Sequence, residues 1–377
     1  MKICILGFDH GRYDKRIVAK DISHLKNYAQ LLYIYREDIK SQHQSFRQEF
    51  KNTYFCGLVK KGKGILSRKK FEDEIIKVAL DFNPDIFYLH GMFITFPVER
   101  LKVLAKRGKV IYDAHEYDPE PVAIQNKYIK NLVEYLIKIR DKKASPYINC
   151  AFSVSPSLCN YLQLAGYQNV FLKPNVSPIQ PLKPYKYKER HQRLIIAGGL
   201  QEERGPEKIL RVMSCLVKNM PGIKLNMYVN MSTDLSLKLQ KIIKELELTN
   251  SVFIEGLIPY DELIGKLASS LGSFMSFPTG IWKTNYISLP NRFYDTLAAG
   301  TPIISSSSSI DVSSLAIENN LGPVFIEECF DESINDLQDF LTNESRFNNT
   351  LDSINLFAQQ NTWEETKKVL DQIFQIN

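Results

Sequence analysis

Asn285-Tyr-Ile-Ser-Leu-Pro-Asn-Arg-Phe-Tyr-Asp-Thr-Leu-Ala-Ala-Gly-Thr-Pro-Ile-Ile304 reads as a polar loop, a helix opening near Pro290, a stop at Gly300 and a buried strand. Proline suits the first turn of a helix because its missing N–H would be unpaired there anyway. Gly300 followed by Pro302 is a helix exit, and Ile303-Ile304 begins an apolar run of strand type. The loop holding Ser288, Leu289, Pro290 and Asn291 can therefore offer backbone N–H groups and the positive helix end to an anion. Asp295 falls about one and a half turns into the helix, where a carboxylate can reach a sugar hydroxyl beside that anion. A diphosphate carrying a ribose fits this arrangement.

The words Leu289-Pro-Asn-Arg-Phe-Tyr-Asp-Thr-Leu-Ala-Ala-Gly-Thr-Pro-Ile-Ile304 resemble the donor-site helix of the family 4 retaining glycosyltransferases. That family has the two-domain glycosyltransferase-B fold. Its members place a Glu where Asp295 stands and use it to bind the ribose of a nucleotide-sugar, so the resemblance implies that role for Asp295. The alternative for this segment taken alone is an ordinary amphipathic helix feeding a strand.

At 377 residues the chain suits two domains of ordinary size. Hydrophobic content of 44% and charged content of 24% are those of a globular protein with a sizeable core. No apolar run approaches the roughly 18 residues of a membrane span, and the opening Met1-Lys-Ile-Cys-Ile-Leu-Gly turns polar too soon for a signal peptide. Six cysteines are scattered without CxxC spacing, which suggests free thiols in a reducing cytoplasm. No metal-ligand spacing of His and Cys occurs, so no metal is expected.

The net charge of +6 is unevenly spread. Lys60, Lys61, Lys63, Arg68, Lys69 and Lys70 form one cluster. Lys127, Lys130, Lys138, Arg140, Lys142 and Lys143 form another, interleaved with Ile124, Tyr128, Leu132, Tyr135, Leu136 and Ile139. Such a helix can attach to the inner, anionic face of a cell membrane, or it can be a core helix with a solvated outer face. No nucleic-acid motif accompanies the charge, and no nucleic-acid partner is expected.

Short apolar runs alternate with helix-length segments almost throughout. Strands are expected at 2–6, 31–35, 53–58, 86–89, 110–112, 150–154 and 170–172, then at 193–197, 224–229, 252–254, 272–275, 302–305 and 323–325. This alternation predicts parallel sheets covered on both faces. Four prolines in Lys173–Arg190 forbid helix or central strand and suit a stiff connection. The reading is therefore an α/β chain of two doubly wound, Rossmann-like domains facing across a cleft. Residues 1–175 form an acceptor-side domain, 176–190 a linker, 191–360 a nucleotide-sugar domain and 361–377 a terminal helix returning to the first domain. Ligands of such sheets sit outside the carboxyl ends of the strands.

Three further stretches end strands. Gly7-Phe-Asp-His-Gly-Arg-Tyr-Asp-Lys-Arg16 lacks GxGxxG spacing, which argues against a dehydrogenase, yet places Gly11 where backbone can approach a phosphate. A surface loop with incidental glycines is its alternative. Tyr112-Asp-Ala-His-Glu-Tyr117 sets His115 at a strand end, either as a satisfied structural histidine or as a functional one. Its words resemble the family motif whose His touches the donor sugar, which implies that task for His115; Leu89-His90-Gly91 matches more weakly. Ile195-Ile-Ala-Gly-Gly-Leu-Gln-Glu-Glu-Arg-Gly-Pro206 supplies Gly198, Gly199 and Arg204 ahead of a helix start, a phosphate cradle in physical terms.

The chain departs from the family at two places. Gly199 stands where a further Arg is common, leaving Arg204 as the local cation. Eight residues before Asp295, where many members carry a first Glu, stands Ile287. This variant loop resembles a sub-branch of capsule and surface-polysaccharide enzymes. The resemblance implies a retaining, metal-independent hexosyltransferase that uses a nucleoside-diphosphate sugar as co-substrate, needs no cofactor, and acts on a glycan or lipid-linked acceptor. Two alternatives stand beside it. One is a nucleotide-sugar 2-epimerase of the same fold, with His115 or Glu116 as acid/base; the other is a catalytically degenerate scaffold.

Overall fold

The computed structural model describes residues 1–38, 51–62, 64–91, 97–117, 120, 124, 126–280 and 282–376. Lys63 of the first basic cluster lies outside them. The chain divides into two compact units, Met1–Pro174 with Lys367–Asn377, and Asn175–Thr366.

The first unit holds seven parallel strands: β1 (Lys2–Gly7), β2 (Gln30–Arg36), β3 (Thr53–Leu58), β4 (Ile86–His90), β5 (Lys109–Ala114), β6 (Cys150–Ser153) and β7 (Val170–Leu172). Their order is β3-β2-β1-β4-β5-β6-β7. The central strands are buried nearly end to end, as they must be when helices cover both faces.

The second unit holds six: β8 (His191–Gly199), β9 (Lys224–Asn230), β10 (Val252–Glu255), β11 (Ser270–Phe274), β12 (Ile303–Ser306) and β13 (Val324–Phe325), ordered β10-β9-β8-β11-β12-β13. Each sheet thus runs outward in both directions from its first strand. The order reverses between β1 and β4 in one unit and between β8 and β11 in the other. Ligands of open α/β sheets bind at these switch points. Every strand window read from the sequence falls on one of these strands.

Two local readings need correction. The stretch before Pro290 is not wholly loop, because Lys283–Ile287 forms a short helix. Pro290 itself caps the next helix in extended conformation (φ −70°, ψ 149°), and the helix runs Asn291–Ala298. Gly300 ends it at φ +71°, and a Cβ there would lie 2.9 Å from Cα of Pro184. Only glycine fits, since the left-handed backbone and the close approach both exclude a side chain. Within the second unit Arg190 ties the proline-bearing stretch down, donating to the carbonyls of Tyr185, Ser270 and Gly300.

The helix Lys127–Ala144 has reversed polarity. Its inward face carries Lys130, Glu134 and Asp141 along with Ile137 and Ala144. These charges are answered: Lys130 Nζ meets Glu120 Oε1 at 2.9 Å, the Tyr117 hydroxyl donates to Glu134 at 3.1 Å, and the Tyr161 hydroxyl donates to Asp141 at 2.6 Å. Its outward face carries Tyr128, Leu132 and Tyr135, exposed to 85, 58 and 62%, with Ile129 and Leu136 also exposed. Lys127, Lys138, Lys142 and Lys143 stand exposed on the same helix. Among the described residues no helix is long and apolar enough to cross a membrane.

Candidate functional site

In the second unit β8 runs out into Gly198 and Gly199. Gly198 has φ +92°, and a Cβ built at either glycine would meet nothing within 4 Å. Bare backbone therefore faces open space at a strand end, a place where a ligand can approach closely. Arg204 closes the 3₁₀ turn Glu202–Arg204, and its Nη1–H donates to Gly199 O at 3.1 Å. Gly205 follows at φ +68°, where a side chain would run into the carbonyl of Phe277, and the helix Pro206–Asn219 begins. Two backbone bonds stitch this turn to the loop after β11: Phe277 N–H to Arg204 O at 3.0 Å and Thr279 N–H to Glu203 O at 2.9 Å. A cavity of about 810 Å³ lies alongside, lined by Gly199, Arg204, Asn230, Ser232 and Lys238 among others.

The helix Asn291–Ala298 sorts its residues by the 3.6 period. Phe293 and Leu297 point into the core, burial worth roughly 1.5–3 kcal/mol each. Arg292 and Asp295, three apart, share the opposite, half-buried face. Asp295 Oδ1 accepts from the Ser177 hydroxyl at 2.8 Å and from the Tyr260 hydroxyl at 2.7 Å. Burial and the Asp295 charge push the Tyr260 phenol well up, so it stays a donor. Arg292 donates to Ala197 O at 3.2 Å and to Ser276 Oγ at 2.8 Å. Leu289 is packed in the core, so only its backbone is left to offer a ligand. Asn291 accepts from Asn175 Nδ2 at 2.6 Å, and Ser288 leaves the short helix in extended conformation.

In the first unit three histidines meet at the switch point. His10 follows β1, His90 ends β4 and His115 follows β5. His90 Nδ1 lies 3.0 Å from His115 Nε2, and the ring of His10 stands edge-on to that of His115 at 4.8 Å. Asp14 accepts from the amides of Arg16 and Ile17 at 2.9 and 3.0 Å, capping the π-helix Lys15–Ile22, and pairs with His10 at 2.9 Å. The carbonyl of Gly11 is taken by the Tyr33 hydroxyl at 2.9 Å.

Beneath the histidines lies a buried charged network. Lys173 Nζ donates to Asp21 at 2.6 Å, to Asp113 at 2.8 Å and to the Tyr88 hydroxyl at 2.8 Å, while Arg16 pairs with the other oxygen of Asp113. Burial pushes Asp113 up, but Arg16 and Lys173 outweigh it and hold its carboxyl well below the usual range. Burial is also the first cause that drives both His90 and His115 well below the ordinary imidazole range. Lys173 adds to it at His90 and Arg16 at His115. At neutral pH both rings are uncharged donors and acceptors.

No family model and no curated protein matches the sequence. Among solved structures the chain is similar to the sucrose-phosphate synthase of Thermosynechococcus elongatus at 11% identity and a TM-score of 0.74, covering 100% of this chain and 98% of that one. It is similar to Anabaena Alr3699/HepE in complex with UDP and glucose at 12% identity and a TM-score of 0.68, covering 100% and 99%. It is similar to the lipopolysaccharide outer core galactosyltransferase WaaB at 12% identity and a TM-score of 0.67, covering 100% and 99%. The fold is the glycosyltransferase-B fold.

Within this fold the second unit gathers Gly198, Gly199, Arg204 and the helix of Asp295 around one switch point, and the first unit gathers His115 with His90. Arg204 is not the sole local cation, because the fold returns Arg292 to the end of β8. Ser177, Tyr260, Asp21 and Lys173 also belong to these clusters, and no motif in the sequence marks them; His10 joins them from within the stretch Gly7–Arg16 without having been singled out there.

His90, Asp113 and His115 bring ligand atoms within 4.8 Å of one another. They do not fit a metal ion. Both Asp113 oxygens are committed to Arg16, Lys173 and Tyr88, and two buried cations in the same shell repel a third.

Proposed function

We propose that this protein is a retaining glycosyltransferase that moves a sugar from a nucleoside-diphosphate sugar to a glycan or lipid-linked acceptor, in surface-polysaccharide biosynthesis. The observation that carries the reading is the second unit's switch point, where bare glycine backbone, a guanidinium and a hydrogen-bonded Asp295 converge. Diphosphate departure builds negative charge on the leaving group, and in this reading Arg204 with the Gly198–Gly199 backbone stabilises it. Asp295 keeps Oδ2 for a ribose hydroxyl while Ser177 and Tyr260 hold Oδ1. The neutral His115 of the first unit suits a sugar hydroxyl. Neighbouring solved structures hold UDP and glucose, which makes UDP-sugars the first donors to test. The outward face of Lys127–Ala144, apolar and flanked by lysines, supports peripheral contact with an anionic membrane at its cytoplasmic face.

Calorimetry with UDP, GDP and their sugars tests the donor reading. Wild type should bind a nucleoside diphosphate, and Arg204→Ala should weaken it by roughly 1.5–3 kcal/mol, the value of a charged hydrogen bond. Absence of binding by the folded chain would remove the reading. NMR of the product's anomeric centre decides retention. Solvent deuterium entering the donor without acceptor would identify a 2-epimerase instead.

A further inference from the structure

Arg292 occupies a position that the donor reading above does not use. Its two terminal nitrogens bridge Ala197, near the end of β8, and Ser276, two residues past the end of β11. These are the two strands on either side of the point where the sheet order reverses. One guanidinium therefore spans the switch point. Its Nε–H is buried without a partner, and no carboxylate among the described residues pairs with it.

The charge that shifts Arg292, that of Arg204, has the same sign. Burial first, and then the positive charge of Arg204, pull its pKa down to about 9, so at neutral pH the cation persists under repulsion. An uncompensated, partly desolvated cation is destabilising until an anion meets it. Two guanidiniums held near each other beside open glycine backbone lower that cost together only when an anion joins them.

We propose that Arg292 is a second cation for the diphosphate of the donor, acting with Arg204 and supplying charge that Gly199 cannot. The inference rests on the nucleotide-sugar reading of the same site. Arg292 reaches the cradle from 95 residues beyond Ala197, whereas Arg204 lies in the turn itself. A planar fork already anchored at two points meets a phosphate with little further loss of freedom.

The test compares uridine, UMP, UDP and inorganic pyrophosphate, with the guanosine series in parallel, on wild type, Arg292→Gln and Arg292→Lys. Folding is checked by circular dichroism. Arg292→Gln should weaken UDP (or GDP) and pyrophosphate at least about tenfold while leaving the nucleoside unchanged, so the diphosphate-to-nucleoside affinity ratio falls. Arg292→Lys should recover only part of the loss. An unchanged ratio in a folded variant would overturn the role of Arg292 while leaving the donor reading intact. Failure of wild type to bind any diphosphate would remove both. Should the variants not fold, phenylglyoxal labelling of wild type followed by mass spectrometry decides. Protection of Arg292 by UDP or GDP but not by the nucleoside supports the assignment, and equal labelling with and without diphosphate overturns it.

Discussion

His90 Nδ1 stands 3.0 Å from His115 Nε2, a bond between two imidazoles brought from strands 25 residues apart in sequence. Each ring is held uncharged, chiefly by burial, with Asp113, Asp21, Arg16, Lys173 and His10 around the pair. Their folded pKa values lie below the unfolded value of about 6.5. The unfolded chain therefore takes up protons that the folded one refuses once pH drops below about 6.5. The stability of the first unit should fall as pH is lowered from neutrality toward 5 and be regained on return. Thermal melts across that range check this, and His90→Gln should show a flatter decline than wild type. Identical slopes would count against the pair.

His115→Ala should keep its affinity for free nucleoside diphosphate and lose transfer at least about tenfold, one step of 1.4 kcal/mol in barrier. Calorimetry and initial rates separate the two effects. Equal losses in both would mean that His115 supports the fold rather than the sugar.

Asp295→Asn should weaken nucleotide binding, because the neutral amide accepts less strongly from Ser177, Tyr260 and the ribose. Tyr260→Phe should cost about 0.5–1.5 kcal/mol in the same assay by removing one of the two hydroxyls that hold Oδ1. The double variant should lose less than the sum, since both changes act on one network. Strict additivity would dissociate Tyr260 from Asp295.

Lys173 is 2% exposed and meets two carboxylates. Lys173→Met leaves Asp21 and Asp113 buried with Arg16 as their remaining cation, a loss of about 3–5 kcal/mol in urea unfolding. Adding Asp21→Asn should restore part of it. A single variant as stable as wild type would contradict the network.

The helix Lys127–Ala144 predicts flotation with anionic vesicles at low salt and release as ionic strength passes about 0.1 M. Replacing Leu132 and Tyr135 by Glu should abolish the association without unfolding, since both side chains point outward. Wild type that remains unbound at low salt would rule out the membrane contact.

Local sequence determined the strands, because buried parallel strands need short apolar runs and their ends need glycine, proline or a polar turn. It determined Gly300 for the same kind of reason, a left-handed backbone that side chains rarely adopt. It also marked Arg204, His115 and Asp295, which lie within one turn or one helix of a strand end. Tertiary structure decided their partners. Ser177 and Asp295 are 118 residues apart and Lys173 and Asp21 are 152 apart, and only the order of strands in each sheet makes them neighbours. Hydrogen bonds of that range leave no periodicity behind. The helix Lys127–Ala144 shows the difference most clearly. Its sequence is amphipathic whichever side faces inward, and Lys130, Glu134 and Asp141 went inward, where Glu120, Tyr117 and Tyr161 meet them, while Lys127, Lys138, Lys142 and Lys143 stayed exposed.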